Sequence, residues 1–338
     1  MGFSKFQIQN KAGARVALFG EGVGDDAIDS GPKRSITNLL NLFHNNLVQG
    51  GENARIDNVY INGLFFNFFK WLFFKGKLVI APRGMASPKA LEIKGLKKRG
   101  YLYLFKIFRF YKRVRFHATS IKEEKEIQQL FVGAEIIRIP NVPYLNFQMK
   151  KKHKGKGELK MISVAQVSPL KNYHKIIGGL KQVQSSIYWE IVGGALYPNY
   201  YQEIMEAIKT LPDNIKVTYR GELSFGEVEK RWGDNHIQVL PSESENFGHA
   251  HFEGLANSLP LITSFEVPWT ELHQHKAGLN IPISEDEIAK SIEFFARMNE
   301  GEFHQYQFGA ITYAQSRVDE TELKTAYTNM FFNEIYRP

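Results

Sequence analysis

The stretch SESENFGHAHFEGLANSLPLI, residues 242–262, sets Glu245 and Glu253 eight positions apart on either side of Phe247-Gly248. HIQVLPS before it reads as a buried strand and HAHFEGLANS after it as a helix, so Glu245 belongs to the connecting loop and Glu253 to the helix. Gly248 permits the turn, and the amides near it then point out of a helix N-terminus, where they can donate to a hydroxyl or a phosphate. An ionised carboxylate only accepts, and one carboxylate can accept from both hydroxyls of a vicinal diol. A nucleotide sugar carries two such diols, one on the ribose and one on the hexose. Lys171, in AQVSPLKN, adds a cation: Ser168 can cap and Pro169 suits a first helical position, which puts Lys171 in a first turn. The helix dipole disfavours a cation there unless an anion shares the site. Gly193 and Gly194 in IVGGALYP, and Gly221 in YRGELS, follow strand ends, where the backbone of an open α/β sheet meets its ligand.

The elements that must carry these residues alternate between short β-rich runs and helical stretches, the pattern of α/β domains with mainly parallel sheets. ARVALFGEG reads as the first strand and SGPKRSITNLLNLFHNNLV as the helix after it, with Ser30 or Gly31 near its start. DNVYING, KLVIAPRG, RFHATS and EIIRIPNV follow as strands. The polar, basic, glycine-spaced MKKKHKGKGELK (149–160) reads as an interdomain linker. A second set of strands runs through MISVAQV, YWEIVGG, IKVTYRG, HIQVLPS and LPLITS, and helical patterns occupy about Glu285 to Tyr336. No solenoid-length repeat interrupts this order.

A chain of 338 residues that is 43% hydrophobic has room for two α/β domains, each with a core, and a ligand cleft between them is the expectation. Cysteine is absent, which excludes disulfides and zinc–thiolate sites and suits a reducing compartment. MGFSKFQIQNKAGARVALFG has no apolar core after a basic start, so no secretory signal is expected. LFFNFFKWLFF (64–74) is far short of the roughly 20 residues of a spanning helix; it reads as a core helix ahead of a membrane-dipping one. The net charge of +8 is localised: Lys94 to Arg115 hold nine Lys/Arg and no acid, leaving 34 basic against 35 acidic residues elsewhere. Lys106, Arg109 and Arg113 recur at helical spacing, with Leu104, Ile107, Phe108 and Tyr111 on the opposite face. Such a basic amphipathic helix can lie on an anionic membrane, bind polyphosphate or nucleic acid, or be a solvated face over a core.

PSESENFGHAHFEGLANSLPLI resembles the E-x7-E signature of the retaining glycosyltransferases of family 4. VAQVSPLKN is similar to that family's phosphate-binding strand-loop-helix, IVGGALY and VTYRGEL fall in the expected order, and IIRIPNV matches the strand ending the first domain. VYINGLF, IAPRGMASPKAL, FHATSIKEE and VPWTEL resemble a subgroup that builds cell-surface polysaccharides. The resemblance, strong over residues 59–275, implies a GT-B fold of two Rossmann-like domains facing a central cleft. Its divisions would be an acceptor-binding domain at 1–145, shortened by about one βα unit, a donor domain at 146–315, and a last helix at 316–338 packing back toward the first domain. It further implies transfer of a hexose from a UDP- or GDP-sugar to a glycan acceptor, expected to be lipid-linked, with retention and with neither metal nor cofactor beyond the donor. Glu253 would hold the ribose diol. Glu245, with the amides of Phe247, Gly248 and His249, would hold the hexose. Lys171 would neutralise the diphosphate, with Gly194 and Gln166 lining the donor site. The backbone around Gly221 would read the base, Ser30-Gly31 would approach the phosphates, and Arg83 would stand near the transferred sugar, where many members have a histidine. The expected location is cytoplasmic, peripheral at the inner membrane face, with 94–115 as the docking helix.

One departure bears on activity: Gln166 stands where the family usually has an arginine. A non-catalytic sugar-nucleotide binder is therefore the main alternative. A nucleic-acid-binding protein fits only the basic stretch and gives Glu253 no role, so no nucleic-acid partner is expected. HAH at 249–251 and HQH at 273–275 lack a carboxylate at ligand spacing, so no metal site is expected. GEGVGDD at 20–26 lacks the G-x-G-x-x-G spacing of a dinucleotide turn.

Overall fold

The computed structural model describes residues 6–20, 31–49, 56–92 and 95–332. The chain divides into two compact units, Met1–Val142 with Asp319–Pro338, and Pro143–Val318. Each is a Rossmann-like α/β unit, as the sequence leads one to expect.

The first unit has strands β1 (Phe6–Gln9), β2 (Arg15–Gly20), β3 (Leu47–Gln49), β4 (Asn58–Asn62), β5 (Lys77–Ala81), β6 (Arg115–Ala118) and β7 (Glu135–Arg138), with helices α1 (Gly31–Leu42), α2 (Pro88–Glu92), α3 (Gly95–Ile107) and α4 (Ile121–Leu130). The sheet order is β3-β1-β2-β4-β5-β6-β7. Strands β2 and β4–β7 run parallel, while β1 pairs antiparallel with both β2 and β3. That antiparallel edge has no sequence signal: FQIQ and LVQ are too short to show alternation, and the predicted first helix stops at Leu42 instead of running through Val48. Val59 and Ile61 of β4 lie opposite Leu78 and Ile80 of β5 and, with Phe116 of β6, anchor the core.

Two apolar segments of this unit leave large side chains exposed, and the first departs from the expected core helix. LFFNFFKWLFF forms only a 3-10 turn, Phe68–Trp71, and Phe68 is its buried residue. With apolar side chains at nearly every position, no single face could bury them all, and Phe73 is left 92% exposed. In α3 the inward residues are Leu102 and Phe105, while Leu104, Ile107 and Phe108 are exposed. Arg109 takes a left-handed conformation (φ 48°) that ends the helical phase, so Phe110 and Val114 enter the core from the turn beyond. Three residues of the apolar face read from sequence, Leu104, Ile107 and Phe108, are therefore open, while the fourth, Tyr111, stacks on Phe131 (5.7 Å between centroids).

The second unit has strands β8 (Glu158–Val164), β9 (Ser186–Val192), β10 (Ile215–Tyr219), β11 (Ile237–Val239), β12 (Leu261–Ser264) and β13 (Gly278–Ile281). Its helices are α5 (Tyr173–Leu180), α6 (Pro198–Ile208), α7 (Phe225–Asp234), α8 (His249–Ala256), α9 (Glu285–Arg297) and α10 (Glu300–Ser316). All six strands are parallel in the order β10-β9-β8-β11-β12-β13, so the winding direction reverses between β8 and β11. Capping boxes Ser224/Glu227 and Asn299/Glu302 start α7 and α10. Residues 149–160, read from sequence as a linker, belong to this unit. Lys152 and Lys154 are buried, and their ammonium groups donate to the end of α7 (Trp232 O, 2.8 Å) and of α9 (Ala296 O and Met298 O, both 2.9 Å).

The chain then returns to the first unit as α11 (Glu320–Phe332). Tyr327, Met330 and Phe331 are buried there, Tyr327 donates to Pro140 O (3.0 Å), and Phe331 O accepts from Asn58 (2.7 Å).

Candidate active site

In the second unit the candidate residues lie in the loops leaving β8, β9, β10 and β11 and at the start of α8. The strand order reverses between β8 and β11, and the carboxyl ends of strands at such a reversal are where doubly wound sheets take ligands. The loops after β8 and β9 are tied by Val167 N–H to Gly194 O (2.9 Å), and that after β9 to β10 by Gly193 N–H to Gly221 O (2.8 Å). Gly193 allows this approach because a Cβ there would stand 2.0 Å from Ala165 O. Gly221 adopts φ +69°, a conformation open to glycine. Gln166 is exposed in the loop after β8.

Lys171 is not in the first turn of α5. It closes a 3-10 turn, Pro169–Lys171, and Asn172, left-handed at φ 56°, separates it from the helix. Asn172 Nδ2 donates to Pro241 O (2.9 Å) and Glu243 N–H to Leu170 O (2.9 Å), which fastens this turn to the loop after β11. The result is a direct ion pair, Lys171 Nζ to Glu245 Oε1, with both side chains largely buried (19% and 18% exposed). Burial pushes the Glu245 carboxyl up, but the charge of Lys171 and its hydrogen bond to the carboxylate outweigh it and hold the group below its usual range.

Gly248 caps α8 at φ +74°, and a Cβ there would meet His251 Nδ1 at 2.9 Å and Trp269 Nε1 at 3.1 Å. Phe247 packs edge-on against Trp269 (5.1 Å between centroids) and lies 4.7 Å from the His249 ring. Glu253 sits inside α8 and is 1% exposed. His251 is a residue the sequence reading considered only as a metal ligand. Burial lowers it to about 4, so it is neutral, and its Nε2–H donates to Leu240 O (3.0 Å). Its Nδ1 is then a buried acceptor without a partner among the described residues. Only its position beside Gly248, visible after folding, reveals it.

Arg83 and Gly31 belong to the first unit. Gly31 is the first residue of α1, and Ser30 lies outside the described residues. Arg83 follows β5 at φ 55°, a conformation that costs a non-glycine residue about 1–3 kcal/mol and is maintained only where the surroundings impose it. Its guanidinium donates to Asn62 Oδ1 (2.8 Å), the Tyr60 hydroxyl (2.7 Å) and Asn141 Oδ1. Tyr60 in turn donates to His117 Nδ1 (2.8 Å), and His117 Nε2–H to Ile139 O (2.8 Å). Burial drives His117 down to about 3, with Arg83 adding to the effect, and Tyr60 up to about 12. The nearby Glu123 carboxylate is engaged by Gly84 N–H, Thr119 N–H and the Thr119 hydroxyl. Arg83 thus keeps a positive charge that no ion pair compensates among the described residues. Its partners come from two separate segments, β4 and the chain after β7, and no sequence pattern announces them.

Among the described residues no group of three or more His, Asp or Glu is placed to hold a metal ion, and no helix is long and apolar enough to cross a membrane.

Residues 146–307 match the family described as glycosyl transferases group 1. No curated protein matches the sequence. Among solved structures, the chain is similar to HepE of Anabaena in complex with UDP and glucose, at 15% identity and a TM-score of 0.67 over 93% of this chain and 98% of that one. It is similar to WaaG, a glycosyltransferase involved in lipopolysaccharide biosynthesis, at 12% identity and 0.66 over 94% and 100%. Sucrose-phosphate synthase from Thermosynechococcus elongatus is similar at 14% and 0.61 over 96% and 84%. Likeness at these identities establishes the fold; what each protein acts on is a property of its own site.

Proposed function

We propose, from a chain of GT-B fold whose residues 146–307 match the glycosyl transferases group 1 family, that it moves a hexose from a UDP- or GDP-sugar to a glycan acceptor with retention. The carrying observation is the Lys171–Glu245 pair, which joins the two loops flanking the sheet's reversal point beside the N-terminus of α8. Lys171 and the α8 amides receive the diphosphate as the bond from the anomeric carbon to its phosphate oxygen breaks. The transition state resembles an oxocarbenium ion leaving a dianion, so fixed positive charge at the leaving group gives the largest acceleration. The departing phosphate oxygen takes the acceptor hydroxyl's proton, and the new bond forms on the face the diphosphate leaves. This assigns charge neutralisation to protein groups, without a metal. Glu245 positions the hexose and Glu253 the ribose diol, with Gln166, Gly194, Gly221, Phe247 and His249 lining the donor. Arg83, Ser30 and Gly31 also serve the transfer. A lipid-linked acceptor in cell-surface polysaccharide synthesis, reached from the cytoplasmic side, is the setting this reading favours.

The test is thermal stabilisation by UDP, GDP and their hexose conjugates, in wild type and Glu253→Ala. Ligand at 100 times its dissociation constant adds about 2.7 kcal/mol. One nucleotide series should stabilise wild type, and the variant should lose the response; an equal response in both would remove Glu253 from the donor site. The exposed Gln166 favours a second reading, a sugar-nucleotide binder without turnover, and it predicts the same stabilisation with no hexose released or transferred.

A further inference from the structure

The first unit carries an open apolar face ringed by a single sign of charge. Phe73 is 92% exposed, Ile107 55%, Phe69 47%, Phe108 46% and Leu104 40%. These residues come from the turn after β4 and the outer side of α3, yet they form one surface. The Phe69 and Phe108 rings meet edge-to-face at 5.6 Å, and Arg113 donates to Leu72 O at 3.1 Å. Around them Lys70, Lys75, Lys106, Arg109, Lys112 and Arg113 are all exposed. From residue 58 to residue 122 the chain has fifteen Lys/Arg and one acid, Glu92.

An apolar patch of this kind on a water-facing surface marks an interaction site. We propose that this face docks on an anionic lipid surface, with Phe69, Phe73, Leu104, Ile107 and Phe108 entering the headgroup–acyl boundary and the surrounding cations pairing with lipid phosphates. A bilayer supplies both halves of that match at once: negative charge at the surface, and an apolar layer a few ångströms below it. The long basic stems lie along apolar surface with their heads at the phosphates. A second copy of this chain would bring like charge against like charge. A nucleic acid would satisfy the cations and stack on the phenylalanines, but it leaves aliphatic Leu104 and Ile107 without a partner. The surface lies outside the proposed donor site and stands on its own observations. It also explains why 64–74 and α3 keep apolar residues that the core does not use.

The experiment is co-sedimentation of the full chain with sucrose-loaded vesicles of phosphatidylcholine alone, and of phosphatidylcholine with phosphatidylglycerol. Partition should be at least about tenfold stronger on the anionic vesicles and weaken with salt. Each of Lys106→Gln and Arg109→Gln should lower it about fivefold. Phe73→Ser alone, and Phe73→Ser with Phe108→Ser, should lower it about tenfold or more while the thermal midpoint stays unchanged. Binding that ignores lipid charge, or that survives the phenylalanine changes, would overturn the proposal. Displacement from vesicles by RNA at equal charge would reassign the face to nucleic acid, and self-association abolished by Phe73→Ser would reassign it to a second copy. UDP stabilisation measured in the same variants keeps the two readings apart: it should persist whatever the vesicles show.

Discussion

Lys171 and Glu245 hold each other's charge in a largely buried pair, so whatever anion Lys171 receives must compete with a carboxylate. Glu245→Gln removes the competitor and keeps the shape. It should tighten nucleoside diphosphate binding roughly three- to tenfold, because the freed ammonium forms charge-assisted bonds to phosphate. The same change should slow hexose transfer by about tenfold or more, since the carboxylate orients the sugar. Calorimetry with UDP or GDP and steady-state rates separate the two effects, and weaker diphosphate binding in the variant would show that Lys171 is not the phosphate group. At this scale the sequence was informative where chemistry is local: Glu245, Gly248 and Glu253 announce themselves by type and spacing. It was silent where chemistry is assembled from distant segments. Tyr60, Asn62, His117 and Asn141 meet at Arg83 only because consecutive parallel strands end side by side. The left-handed conformation of Arg83 has no sequence signature; that of Asn172 falls on a residue type enriched there, a signal too weak to read without the fold.

Among the elements, the basic segment 149–160 shows how a composition can mislead. Lysines in a glycine-spaced run read as solvated, yet Lys154 donates to three carbonyls, Gly155 O, Ala296 O and Met298 O, and closes the end of α9. Cations at helix C-termini complement the dipole and satisfy carbonyls the helix leaves over. Burial lowers the Lys154 amine to about 8, so part of this gain is offset by desolvation. The orphaned carbonyls decide the sign: Lys154→Ala should cost about 1–3 kcal/mol in urea unfolding, and the exposed Lys156→Ala about 0.5 or less. A neutral result at Lys154 would mean that water replaces the ammonium without loss. Every strand expected from sequence in either unit is present, because buried parallel strands are dense in Val, Ile and Leu. Those not foreseen, β1, β3 and β13, are three or four residues long. The left-handed Arg109 breaks the helical spacing beyond α3, which puts Phe110 in the core and leaves Phe108 exposed.

For the whole molecule, three buried histidines set the response to acid. Burial lowers His117 to about 3 and His236 and His251 to about 4, against about 6.5 in an unfolded chain. Each folded pKa is depressed, so the unfolded chain binds protons first. The stability tied to each neutral ring is complete above about pH 6.5 and is lost as pH falls toward 4, at up to about 1.4 kcal/mol per pH unit for each ring. Denaturation at pH 7 and pH 5 should differ by roughly 2–6 kcal/mol in total, shared between the unit holding His117 and the unit holding His236 and His251; equal midpoints would contradict the burial of these rings. The two-unit architecture was legible from the alternation of strands and helices, whereas the basic run 149–160, read as the linker between units, lies within the second. The excursion of the chain has a temporal consequence. Tyr327, Met330 and Phe331 fill the first unit's core, but they leave the ribosome only after all of Pro143–Val318. The part translated first is thus the part completed last, and the growing chain must protect an unfinished N-terminal sheet while the later-made unit already folds.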